Sequence, residues 1–167
     1  GTAAMTRLRP AVITPGDRHT LPSSARVARG TGRVWALASG GGGLGRSVLS
    51  AVLGARMVRQ GHRVCLVDAD WTGPSLAALL DLAARPPLPW GEPLSTPEHP
   101  ELQLLVGPSP VVGDPAPAAL RALRRRVDAL DADRVILDLP AGSADGALDL
   151  WLSADVPLLV TVPERLS

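Results

Sequence analysis

From Arg33 onward, short apolar runs alternate with stretches whose apolar residues recur every three to four positions. That alternation predicts strands and helices taking turns around a mostly parallel sheet with flanking helices. Residues 34–38 read as a buried strand that runs into a glycine loop at 40–45. A helix is predicted over 47–60, with Val48, Val52, Ala55 and Met57 near one face and Gly61 as its left-handed stop. Further strands are predicted at 63–67, 102–106, 135–139 and 157–162, about five in all. Helices are predicted from Pro74 to about Leu82, from Pro117 to about Leu130 and over 145–152, the first two opening on proline where a helix tolerates it best. The second of these carries Leu120, Leu123, Val127 and Leu130 at helical spacing. The proline-rich segment 83–101 reads as an irregular connection. Residues 1–32 have no sustained apolar period and contain Pro10, Pro15 and Pro22, so they read as a flexible leader before one α/β domain over 33–167.

The loop carries the first chemistry. Gly40, Gly41, Gly42, Gly43 and Gly45 surround the single Leu44. A glycine turn between a strand's carboxyl end and a helix start gathers backbone N–H groups beside the positive end of a helix, which suits phosphate. Glycine permits the close approach and the positive φ angles of such a turn. Two phosphate patterns overlay here. Gly40, Gly42 and Gly45 fit G-x-G-x-x-G, with Asp68 at the end of the next strand where a dinucleotide site places its ribose-binding acid. The same residues fit a P-loop in which Arg46 fills the lysine position and Ser47 the magnesium hydroxyl. Asp68, Asp70 and Asp138 all fall at carboxyl ends of predicted strands, the edge at which open α/β sheets bind ligands.

Composition narrows the options. The chain has 167 residues, 46% hydrophobic and 20% charged, enough for one globular domain with its own core. Basic residues number 17 against 16 acidic, a net charge of +1 that gives no overall case for nucleic acid or an acidic membrane. All 17 are arginine, and there is no Lys, Phe or Tyr. A Schiff-base lysine, a catalytic tyrosine and a lysine on a phosphate are thereby excluded. The single cysteine, Cys65, forms no internal disulfide, and the lack of C-x-x-C leaves no thiolate pair for an iron–sulfur or zinc site in this sequence. Cys65 lies in an apolar strand pattern and reads as buried and inert. Arg121, Arg124, Arg125 and Arg126 read as a solvated helix face, and His19, His62 and His99 have no metal-ligand spacing. No apolar run reaches the roughly 18 residues of a transmembrane helix, and the plain expectation is a cytoplasmic protein.

The stretch 39–47, Ser-Gly-Gly-Gly-Gly-Leu-Gly-Arg-Ser, resembles the deviant Walker A loop S-G-K-G-G-x-G-K-S of the MinD/ParA group of ATPases, which includes the flagellar number regulator FlhG. The likeness continues through 61–70, which ends in Asp68-Ala69-Asp70, through 73–76, and through 131–143, similar to that group's Walker B and switch region. It extends over 148–155 and 160–164. The resemblance implies a Rossmann-type P-loop NTPase fold with ATP and Mg²⁺ as cofactors. It implies that Gly40, Gly41, Gly42, Gly43, Leu44, Gly45, Arg46, Ser47 and Val48 surround the nucleotide, with Ser47, Asp70 and Asp138 on the magnesium side. Asp70 would position the attacking water, and Arg46 would supply the catalytic cation. Such a site works by positioning and charge neutralisation.

Both lysines of the family loop are replaced. Gly41 stands where one would reach across a nucleotide-sandwiched homodimer, and Arg46 stands for the other. Arginine keeps the charge but is a larger planar fork, whereas glycine brings no cation, so the resemblance implies nucleotide binding with weak or absent hydrolysis. One reading is a nucleotide-dependent switch in cellular positioning or assembly. Another is a pseudo-ATPase that serves a protein partner, and the G-x-G-x-x-G overlay keeps an NAD(P)-binding protein as a third.

Overall fold

The computed structural model describes residues 33–73, 76–82, 92–96, 99–107, 115–142 and 146–163. In chain order the elements are β1 (Val34–Ser39), α1 (Arg46–Arg59), β2 (Val64–Asp68), α2 (Leu76–Leu79), β3 (Leu94–Ser95), β4 (Leu102–Val106), α3 (Pro117–Ala129), β5 (Arg134–Ala141), α4 (Ala147–Leu152) and β6 (Val156–Val160). The leader assigned to 1–32, Pro74 at the start of the second helix, the start of the fourth at Asp145, and Glu164 lie outside the described residues. One sheet runs in the order β3-β4-β2-β5-β1-β6, parallel throughout except for the β3–β4 pair. The two-residue strand β3 is a correction to the reading of 83–101 as wholly irregular. It is too short to show any periodicity and exists by pairing Leu94 and Ser95 with Leu104 and Gln103.

Alternation of side chains along each strand divides the core in two. Cys65 and Val67 of β2, with Val135, Leu137 and Leu139 of β5, meet Leu123 and Val127 of α3 and Leu150 of α4. On the other face Val64 and Leu66, with Leu37 and Ile136, meet Met57 of α1 and Leu76 of α2. Helices therefore cover both faces. The crossovers β1–α1–β2 and β4–α3–β5 travel in opposite directions across the sheet and lie on opposite faces, as right-handed connections require.

The apolar face expected for α1 is not the face it buries. Val48 and Val52 are 52% and 58% exposed, and Ala55 is exposed, whereas Arg46, Ser50, Gly54 and Met57 are buried. Only Met57 of the expected set faces the core. Close packing explains the choice at Gly54, where a Cβ would lie 2.8 Å from Leu66 Cδ2, so the helix sits nearer the sheet than any larger residue permits.

A second glycine fixes the ligand edge of the sheet. Gly107, directly after β4, donates its N–H to Asp68 O at 2.8 Å, and a Cβ there would lie 2.7 Å from the same backbone oxygen. Gly107→Ala is expected to destabilise the fold by about 1–3 kcal/mol, the usual cost of overpacking, measured as a lowered midpoint of urea unfolding.

Candidate functional site

Strand phase decides which polar groups meet. Asp68 continues the Val64, Leu66 side of β2, Asp138 continues the Ile136 side of β5, and Ser39 continues the Leu37 side of β1. All three therefore face α1. Parallel register sets Asp68 level with Asp138, and Asp138 level with Leu37 of β1. Above them, Arg46 and Ser50 stand one helical turn apart on the buried face of α1.

The result is a buried ionic cluster built on Arg46, which is 7% exposed. Its Nε donates to Asp138 Oδ1 at 2.8 Å, its Nη2 to Asp70 Oδ2 at 2.5 Å and its Nη1 to Ser39 Oγ at 3.3 Å. Ser50 Oγ donates a second bond to Asp138 Oδ1 at 3.2 Å. The other oxygen of Asp70 accepts from Thr72 N at 3.0 Å, Thr72 Oγ1 at 2.5 Å and Gly73 N at 3.2 Å, which ties the turn after β2 to the cluster. Asp138 is 0% exposed, and its Oδ2 has no hydrogen-bond partner among the described residues.

Asp68 lies beside this group but is held by backbone. Leu76 N donates to its Oδ2 at 3.0 Å and Asp70 N to its Oδ1 at 3.4 Å. Burial pushes its carboxyl up to about 6, aided by the charges of Asp138 and Asp70 and opposed by those two N–H donors. Between about pH 4 and 6 the folded chain thus holds a proton that the unfolded chain has released, and this contribution to stability is lost as pH rises through 6. Asp68→Asn is expected to remove it. Relative to wild type, the variant should gain up to about 3 kcal/mol on going from pH 4 to pH 7, read by urea unfolding at both values.

The loop in front of the cluster has the expected shape. Gly43 and Gly45 both take φ 76°, and Gly45 caps α1, accepting a hydrogen bond from Leu49 N at 2.8 Å. Among the described residues, no heavy atom beyond the chain neighbours lies within 4 Å of where a Cβ would project at Gly40, Gly41, Gly42, Gly43 or Gly45. Among the described residues the backbone therefore has room beside it, as a phosphate cradle requires. Ser47 is half-buried at the first turn of α1, and Val48 lies on the outer side of the helix, away from the cluster.

Of the residues expected at the site, Arg46, Asp70 and Asp138 come into direct contact, and the glycines and Ser47 lie at the same edge. Sequence reasoning missed Ser39 and Ser50, and it aimed Arg46 at phosphate rather than at the two acids. A divalent cation does not fit between Asp70 and Asp138 as they stand here. Both oxygens of Asp70 and Oδ1 of Asp138 are taken by N–H or O–H donors, and a guanidinium lies between the two carboxylates. Among the described residues no set of three His, Cys, Asp or Glu is grouped as metal ligands.

At the opposite end of the strands, Arg63 bonds Asp131 at 2.8 Å and Asp133 at 3.1 Å. The partners of these pairs are exposed, so the pairs contribute little. Arg121 and Arg124–Arg126 are exposed while Leu123 and Val127 are buried, the solvated helix face that was expected. Cys65 is wholly buried in the sheet, and desolvation pushes its thiol up to about 12.

The sequence and the fold are similar to those of known proteins. The ParA family, described as NUBPL iron-transfer P-loop NTPase, matches residues 30–167. The chain belongs to the ParA family of P-loop NTPases. It is similar to the iron–sulfur cluster carrier protein of Pseudomonas fragi, 32% identical over 171 residues that cover 93% of this chain and 58% of that one. Among solved structures it is similar to cobyrinic acid a,c-diamide synthase from Mycobacterium smegmatis with bound ADP and magnesium, with a TM-score of 0.59 at 28% identity over 77% of this chain and 60% of that one. The septum site-determining protein MinD from Pyrococcus horikoshii, complexed with Mg-ADP, shares the fold, with a TM-score of 0.62 at 24% identity over 79% of this chain and 58% of that one. The ParA-family chain spans 58, 39 and 38% of the length of the carrier proteins from Pseudomonas fragi, Bacillus subtilis and Mycobacterium bovis. The MinD/ParA resemblance and the α/β fold read from the sequence both stand, and the relatives' names turn attention from positioning toward iron–sulfur cluster handling.

Proposed function

We propose that this ParA-family domain, residues 33–167, is a nucleotide-dependent switch that binds ATP or ADP through Gly40 to Val48. The observation that carries the reading is the left-handed turn at Gly43 and Gly45, which none of the described residues crowds and which leads into the start of α1 at the carboxyl end of β1. Backbone N–H groups of that turn would hold the phosphates, with the Ser47 hydroxyl beside them. Asp70 links the site to the chain beyond it through its bonds to Thr72 and Gly73, so a ligand that shifts Arg46 also shifts the turn after β2. That coupling would let nucleotide state be read by a second copy of the chain or another protein. Hydrolysis is expected to be weak, because Gly41 brings no cation and Arg46 is occupied by two carboxylates.

The carrier relatives suggest iron–sulfur cluster assembly as the process served, with cellular positioning, as in MinD, the second reading. Cys65, buried with a raised thiol, is not placed to ligate a cluster, so the proposed share of this domain is the nucleotide switch. Among the described residues no helix is long and apolar enough to cross a membrane.

Titration calorimetry with ADP, ATP and NADPH tests the proposal. Adenine di- and triphosphate should bind, NADPH should not, and Gly43→Val, which forces a β-branched residue into positive φ, should abolish binding. Binding of NADPH without ADP would overturn the assignment.

A further inference from the structure

We propose that the Arg46 guanidinium is a built-in substitute for a divalent cation between Asp70 and Asp138, so that the nucleotide-free chain binds no metal there. The inference goes beyond the nucleotide reading and does not rest on it. Two acids at neighbouring strand ends, one of them 0% exposed, need positive charge close by. A guanidinium supplies it through two separate N–H groups, Nε to Asp138 and Nη2 to Asp70, a span that its rigid fork bridges and a lysine ammonium does not. Ser39 Oγ accepts from the remaining edge, and Ser39 in turn donates to Gly41 O at 2.9 Å, so the guanidinium is held on all three nitrogens.

The substitution is incomplete in one respect. Arg46 carries a single positive charge against two carboxylates, and Asp138 Oδ2 is left buried without a donor among the described residues. That oxygen marks the direction from which more positive charge would be drawn once the guanidinium is gone. Arg46 thus sets the metal specificity of the pair by blocking it, and its removal should expose a latent divalent site.

Manganese is the probe, since free Mn²⁺ is counted directly by electron paramagnetic resonance. The 167-residue chain and Arg46→Gln are titrated without nucleotide, alongside Arg46→Gln/Asp138→Asn, and thermal unfolding is followed with and without Mg²⁺. Wild type should take up no stoichiometric Mn²⁺, and its unfolding temperature should not respond to Mg²⁺. Arg46→Gln should bind one Mn²⁺ at least tenfold more tightly than wild type and be stabilised by Mg²⁺, and the double variant should lose both effects. Stoichiometric Mn²⁺ on wild type, or equal affinity in wild type and Arg46→Gln, would overturn the proposal. Should Arg46→Gln fail to fold, Arg46→Lys takes its place. Its smaller ammonium should leave one carboxylate open and raise Mn²⁺ affinity above wild type, and an unchanged affinity would likewise overturn the proposal.

Discussion

Arg46→Met is expected to destabilise the chain by about 3–5 kcal/mol, the cost of leaving buried carboxylates without their cation. The side-chain volume is nearly kept, so the loss reports charge rather than packing. Asp138 cannot recover by reaching water, because it is enclosed between β2, β1 and α1, and Asp70 is only 8% exposed. Urea unfolding at neutral pH checks the figure. A second result separates the ionic explanation from simple disruption of α1. Combining Arg46→Met with Asp70→Asn and Asp138→Asn should recover most of the lost stability, because no uncompensated charge then remains. If the triple variant is as unstable as Arg46→Met alone, the cluster is not what the arginine supports.

The largest effect on activity is expected from Gly41→Lys combined with Arg46→Lys. Gly41 has no positive φ, and among the described residues its Cβ would meet no heavy atom within 4 Å beyond the chain neighbours, so a side chain can start there without backbone strain. The Arg46 change removes the fork that binds both acids and returns a compact ammonium to the loop. A positioned cation of this kind can contribute about 10³ to 10⁵ in rate, so ATP-dependent phosphate release should rise by about 10²-fold or more. Single variants should give much less, since Gly41→Lys leaves Arg46 held by the two acids and Arg46→Lys still lacks a cation at position 41. No gain in the double variant, with ATP still bound, would show that the missing lysines do not limit hydrolysis.

Most of the fold could be read from the sequence, and the misses share a physical cause. The strands of β2 and β5 are apolar on both faces, so their runs stand out, and Gly61 ends α1 in the left-handed conformation with φ 86°. The face of α1 went wrong because hydrophobic periodicity assumes that buried means apolar. Here the sheet presents Asp138 and Leu66 to one helix, so the helix answers with Arg46 and Ser50 at one end and Gly54 and Met57 at the other. The spacing of those four residues is as regular as that of Val48, Val52 and Ala55. Odd and even positions in β1, β2 and β5 would have shown that Ser39, Asp68 and Asp138 share a side. The direction of Arg46 was less accessible, because a motif position says which residue stands in a loop and not which charge it meets.

Trp71 gives the cluster a use of a different kind. It follows Asp70 directly, is buried in the core beneath α3 and α4, and belongs to a chain whose four tryptophans are accompanied by no tyrosine or phenylalanine. All ultraviolet emission from the protein therefore comes from indoles, one of them a single peptide bond from the carboxylate that grips Arg46. A phosphate or a partner that drew Arg46 off Asp70 would shift the backbone on which the indole is mounted. Such a shift would be read in the intrinsic emission of the chain, with no label required.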